Sequence, residues 1–224
     1  MKKFEKQLVF LFSLIILMQH EGIAQTAAVG FSLGHNGGLG AKIHGVLFNF
    51  ARGFPLGAQV AIGYTSVDPG NAADARRIFI NDATNGTPQQ SGHVWDFRAD
   101  LLYRLNWFTP ARSYIYAGIR YASFLGNFKF IGGNEFFDIT ASQWGLGSGL
   151  EIFFPISSRI DLISMAGIDY FIAGKIEGHD TIYSPDGENI NIHHDFTYTD
   201  ADEAINQPKF EFLIMVGLNY HLGR

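Results

Sequence analysis

Residues His93–Asn106 read HVWDFRADLLYRLN, and they decide the fold. Successive side chains of a β-strand point to opposite faces, so a strand reads as two interleaved sets. One set here is Trp95, Phe97, Ala99, Leu101, Tyr103 and Leu105; the other is Asp96, Arg98, Asp100, Arg104 and Asn106, broken only by Leu102. A half-buried strand of a soluble sandwich alternates in the same way, so the segment takes its meaning from what recurs around it.

The pattern returns in Leu56–Ser66, Arg112–Tyr121, Ser142–Phe154, Asp161–Ala173 and Phe210–Leu222, with two weaker runs at Thr26–Gly34 and Gly38–Phe50. Together they predict eight strands. Their apolar faces carry no ionised side chain, whereas the opposite faces hold Lys42, Asp96, Arg98, Asp100, Arg104, Arg120, Glu151, Asp161, Asp169 and Glu211 among many Gly and Ala. A charge at mid-bilayer depth costs about 2–4 kcal/mol. Apolar faces turned to lipid and small, ionic faces turned to a narrow lumen satisfy that constraint. The expected fold is therefore all-β: an eight-stranded antiparallel up-and-down transmembrane β-barrel.

Connections alternate in length, as such barrels require. Short turns fall at Ala51–Pro55, Trp107–Arg112 and Phe154–Arg159, beside Phe48, Phe50, Trp107, Phe108, Phe153 and Phe154, which are expected to form one interfacial girdle. Tyr64, Trp95, Tyr121, Tyr170 and Phe210 are expected to form the other. At the opposite end, His35-Asn36-Gly37-Gly38 is a tight hairpin signal, and long extracellular loops are expected near 69–92 and 178–207. Within the second, Ser184-Pro185-Asp186-Gly187 marks a turn whose hairpin is expected to project beyond the membrane.

Residues 1–24 read as a signal peptide, with Lys2, Lys3 and Lys6 before the apolar run Leu8–Met18 and a small pair at Gly22 and Ala24. Residues 25–224 would then form the barrel domain. The apolar run is far shorter than the ~20 residues a spanning helix needs. Losing residues 1–24 removes Lys2, Lys3, Lys6, Glu5 and Glu21, leaving 13 basic and 19 acidic side chains. That excess of acid argues against nucleic acid as a partner. There is no cysteine, so disulfides and thiolate chemistry are excluded.

The last strand with its tail, FEFLIMVGLNYHLGR at 210–224, carries a more specific signal. Gly217, Tyr220 and Leu222 match the Gly-x-x-aromatic-x-hydrophobic pattern read by the barrel-assembly machinery, although Met215 stands where a polar residue is usual. On this strand and the strand pattern, residues 26–222 resemble the small outer-membrane barrels of the OmpA, OmpX and OmpW type. The resemblance implies a multi-pass protein of a Gram-negative outer membrane with both termini periplasmic, in contact with outer-membrane lipids including lipopolysaccharide. Such barrels serve as anchors, adhesins, porin-like channels or lipid-modifying enzymes, so function is not settled by fold.

The lumen residues Lys42, Asp96, Arg98, Asp100, Arg104, Arg120, Glu151, Asp169 and Glu211 are expected to form an ion-pair network. An eight-stranded barrel is just wide enough for side chains to fill, and buried charges must pair. A plug is the first expectation and a gated aqueous path the second. No cofactor or metal is expected. The carboxylates of Asp200-Ala201-Asp202-Glu203 lack the spacing of a known Ca²⁺ loop, and His193-His194 with His179 would need a bent chain to reach Zn²⁺. His93 and Ser123 are the one nucleophile-and-base pair expected near an outer rim, without a carboxylate to orient the histidine. Three roles stay open at this point: a structural or surface-recognition barrel, a narrow pore or conduit for small or hydrophobic solutes, and a lipid hydrolase. No extracellular ligand is named by any motif.

Overall fold

The computed structural model describes residues 26–48, 55–80, 86–107, 109, 111–133, 135–190 and 195–222. The signal segment, Phe50, Phe108, His193 and His194 lie outside them. In chain order the elements are β1 (Thr26–Asn36), β2 (Leu39–Phe48), β3 (Leu56–Val67), α1 (Ala72–Phe79), β4 (Thr87–Leu105), β5 (Arg112–Ile131), β6 (Glu135–Pro155), β7 (Ile160–Phe171), β8 (Ile176–Glu177), β9 (Ile182–Tyr183), α2 (Tyr198–Ala204) and β10 (Phe210–His221).

Strands β1–β7 and β10 form the ring, each antiparallel to its neighbours. β1 pairs β10, with Ala28 opposite His221, and β5 pairs β6, which closes the sheet. A closed ring leaves no unpaired edge for lipid to meet, which lets strands cross a bilayer. Among the described residues no helix is long and apolar enough to do so. The start of β1 at Thr26 and the end of β10 at His221 lie at the end that carries the short turns; the long connections lie at the other. Between β1 and β2 the expected tight turn is present, with Gly37 at φ +69, a conformation that favours glycine.

Five ring strands have 10–12 residues, but β4, β5 and β6 have 19, 20 and 21. A tilted strand crosses a bilayer in about 9–11 residues. The excess continues past the end of β3, where Val67 pairs Gly92, and stands above the membrane-crossing part.

The amphipathic sense reverses along these three strands. On β5, Ile115 and Ile119 point out while Arg120 points in; beyond Tyr121 the outward residues are Ser123, Leu125, Asn127, Lys129 and Ile131, and Phe124, Phe128 and Phe130 are buried inside. On β6, Trp144 and Leu146 are exposed outward, whereas Phe137 and Ile139 nearer the loop end are buried. Trp95, Ser123 and Ser142 are register partners at the crossover level. Below it the exterior is apolar and the lumen holds the buried charges together with an apolar layer around Phe48, Tyr114 and Phe153; above it the interior is apolar and the exterior more polar. That is the pattern expected where the solvent outside passes from lipid to water.

The long loops supply the rest of that upper core. Asn71 caps α1, its side chain accepting from the backbone N–H of Ala73 and Asp74 at 3.0 and 3.3 Å, which satisfies donors the helix leaves free. Ala72, Ala75, Ile78 and Phe79 form the buried face of α1. Thr197 and Asp200 form a capping box at α2, and those hydrogen bonds hold the Asp200 carboxyl below its usual range. The two loops are tied by the Asn71 N–H to the Ala204 carbonyl at 2.9 Å and the Asn206 N–H to the Pro69 carbonyl at 3.1 Å. The turn at Ser184–Gly187 forms, but its hairpin does not project freely. Tyr183 is buried edge-on against Phe79 at 5.4 Å and donates to the Ile78 carbonyl at 3.1 Å, and burial pushes its phenol up to about 12. The loops fold inward into a cap because their apolar residues share one core with the tops of β4–β6.

Phe79→Ala is expected to cost the cap about 3–5 kcal/mol, the usual range for a buried Phe truncated to Ala. Loop segments 68–86 and 172–209 should become protease-sensitive in folded protein, while the barrel keeps its heat-modifiable gel migration. Unchanged proteolysis would mean that the cap core does not depend on this ring.

Candidate functional site

The candidate site is the lumen, and its side chains stack in layers. At the terminus end, Phe48, Tyr114 and Phe153 pack with centroids 5.3–5.6 Å apart. Arg112 lies over Phe48 at 4.9 Å and pairs with Asp161, which also takes a 2.7 Å contact from His221 Nε2. This corrects the girdle expected at that end: Phe48 and Phe153 are buried in the lumen, and only Trp107 and Phe154 of the described members face outward.

Above this layer, Gln59 Nε2 donates to Glu151 Oε2 at 3.1 Å, and Lys42 Nζ lies 4.0 Å from Glu151 Oε1. His44 Nε2 meets Asn219 Oδ1 at 2.7 Å. The densest charge follows. Arg98 pairs with Asp96, reaches Asp169 Oδ2 at 2.9 Å and donates from Nη2 to Asn36 Oδ1 at 2.9 Å. Arg120 reaches Asp100 Oδ1 with Nη1 at 2.7 Å and Asp169 Oδ1 with Nε at 2.8 Å. Arg98 and Arg120 are direct cross-strand partners. Two guanidinium groups side by side would repel; Asp169, from β7, contacts both and offsets that repulsion. The glycines of the polar faces make room for this. A Cβ on Gly147 would come within 2.6 Å of the Arg120 guanidinium, and one on Gly118 within 2.6 Å of Asp100 Oδ1.

Of the nine lumen residues expected, Lys42, Asp96, Arg98, Asp100, Arg120, Glu151 and Asp169 are buried together. Arg104 is a correction. It is exposed at the terminus-end rim and joins no ion pair among the described residues, although its backbone still pairs with Tyr114 on β5. Glu211 is half-buried at the loop-end mouth, with no ion-pair partner among the described residues. The network expectation missed Arg112, Asp161, His221, Gln59 and Asn36. Asp161, Gln59 and His221 sit on the polar faces that alternation turns to the lumen, and only their place in the network went unread; Arg112 begins its strand and has no phase to read.

At the β1–β10 seam, a Cβ on Gly217 would come within 2.7 Å of Ser32 Cα, so glycine allows close approach there. Tyr220 and Leu222 face outward, and Arg159 Nη1 donates to the Tyr220 hydroxyl at 3.2 Å. The expected hydrolase pair lies diagonally across β4 and β5, the register partner of His93 being Leu125 and that of Ser123 being Trp95, and His93 stacks on Tyr64 at 5.3 Å. Asp200 and Asp202 are engaged in the helix cap and with Lys209 at 2.8 Å. Among the described residues, no three His or carboxylate groups are placed to hold a metal ion.

A major outer membrane protein from Thermus thermophilus superposes with a TM-score of 0.73 at 22% identity, over 89% of this chain and 100% of that one. The chain has the fold of the small outer-membrane β-barrels. Neisserial surface protein A matches with a TM-score of 0.46 at 12% identity over 89% of this chain and 99% of its own. Ail, the attachment invasion locus protein of Yersinia pestis, matches at 0.46 and 10% over 88% and 97%. No family model and no curated protein matches the chain.

Proposed function

We propose that this chain is an integral outer-membrane protein of a Gram-negative bacterium whose lumen is plugged by ion pairs and whose folded cap is its outward, functional surface. The role is structural or surface-recognition, without catalysis. The observation that carries this reading is the succession of buried layers: the Arg98–Arg120–Asp169 cluster, and beneath it the Phe48–Tyr114–Phe153 aromatic layer. An eight-stranded ring has room for little else. Short turns at the terminus end and long loops opposite support periplasmic termini. Gly217, Tyr220 and Leu222 suit presentation of the closing strand to the assembly machinery. Lipopolysaccharide and other outer-membrane lipids are the partners of the apolar belt.

Refolded protein in planar bilayers is expected to give no stable conductance steps. Reproducible steps from the unaltered protein would replace the plug with the narrow-pore reading.

A further inference from the structure

On the outside of the ring, the outward residues of β1–β5 surround an apolar groove of about 1350 Å³, open along one side. Its floor follows β3, where Val60 is 36% exposed and Ile62 is half-buried, between flanks at Ile43 and Trp144 that reach 71% and 60%. The dent has a simple origin. Gly45, Val60 and Ale99 would not be in line without the register, which sets Gly45 opposite Val60 and Val60 opposite Ala99, so a row of small side chains crosses β2–β4 at mid-belt.

At the loop end the groove is bounded by rings. Tyr64 lies edge-on to Trp95 at 5.1 Å, and Tyr121 tilts against Trp144 at 5.0 Å. Tyr and Trp suit the boundary between hydrocarbon and water. The outward positions directly beyond these rings are Ser66, His93 and Ser123. Apolar cleft, aromatic edge and small polar groups thus follow one another as the hydrocarbon, ester and headgroup of a lipid do. A second copy of the chain fits poorly, because an isologous contact would set two dents face to face and enclose volume that a packed interface does not leave. Lipid A also fits poorly, since its two phosphates want Arg or Lys and none of these three positions carries one.

We propose that this groove seats one acyl chain of a zwitterionic phospholipid from the loop-end leaflet, its end against Val60 and Ala99 and its ester region at Tyr64 and Trp95. The inference rests on the reading of the belt as lipid-facing, and it sets one lipid apart from the others that meet the belt.

The test is titration of the refolded full barrel, in detergent micelles, with phosphatidylcholine brominated on its acyl chains, read as quenching of tryptophan fluorescence. Trp95 and Trp144 line the groove, whereas Trp107 lies at the terminus end. In Trp107→Phe, quenching should saturate near one lipid per barrel; in Trp95→Phe/Trp144→Phe, which leaves Trp107, it should rise without saturating. Ala99→Phe fills the floor and should weaken the saturable binding by about tenfold or more, the effect of displacing two buried methylenes. Ala166→Phe, exposed on the outward face of β7 away from the groove, should leave it unchanged. Heat-modifiable migration verifies the folding of each variant. Quenching that never saturates, saturation indifferent to Ala99→Phe, stronger displacement by lipid A than by plain phosphatidylcholine, or a dimer that Ala99→Phe dissociates would each overturn the proposal while leaving the belt intact. Protein that stays soluble and monomeric without detergent would overturn the lipid-facing belt, and the proposal with it.

Discussion

Arg120→Leu is expected to destabilise the folded barrel by about 3–5 kcal/mol, the penalty for removing one member of a buried ion pair. Arg120 is fully buried, with Nη1 at 2.7 Å from Asp100 and Nε at 2.8 Å from Asp169. Asp169 would keep Arg98, but Asp100 has no other ion-pair partner among the described residues. The cost arises from that stranded carboxylate more than from the lost attraction. It follows that Arg120→Leu combined with Asp100→Leu should recover much of the loss, since replacing a buried pair by apolar groups is often neutral or better. Arg120→Lys should fall between, because one ammonium cannot reach two carboxylates as a forked guanidinium does. Equilibrium urea unfolding in lipid vesicles reads all three. A single substitution costing under about 1 kcal/mol, the range of exposed pairs, would mean that water already solvates these groups. The plug would then be lost along with the prediction.

The ring of strands was legible because lipid imposes a strict rule on one face, and His93–Asn106 obeys it. Register was legible in part: Arg98 opposite Arg120 follows once β4 and β5 are aligned. The bridging role of Asp169 was not, since it acts across β6 and exists only after the ring closes. The upper parts of β4–β6 were missed for a different reason. In Tyr121–Phe130 the apolar set shifts from odd to even positions, and a reader of alternation takes such a slip as the end of a strand. The strand in fact continues, and the slip is what a passage of its outer face from lipid to water would produce. The same slip separates Phe137 and Ile139 from Trp144 and Leu146. Phe48 and Phe153 were misassigned to a girdle because aromatics suit both an interface and a packed lumen, and residue type alone does not separate the two.

That boundary yields the second large effect, through one substitution made at two heights. Ile119 and Asn127 lie on the same outward face of β5, on either side of Tyr121. Ile119 is 52% exposed, and by exposure alone an Arg there would count as a surface change worth within about 0.5 kcal/mol. Its cross-strand partners are Ala99 and Leu146, and Ala99 is midway between Trp95 and Tyr103 on β4, so the position lies at the middle of the belt. Ile119→Arg is therefore expected to cost about 2–4 kcal/mol in vesicles. Asn127 donates to Asp138 Oδ1 at 2.6 Å on the upper, water-facing surface. An Arg there can keep a contact with that carboxylate, so Asn127→Arg should stay within about 0.5 kcal/mol of the parent. Urea unfolding in vesicles gives the difference directly. Two equal costs would place both residues in the same solvent, and the reversal along β4–β6 would then need another cause.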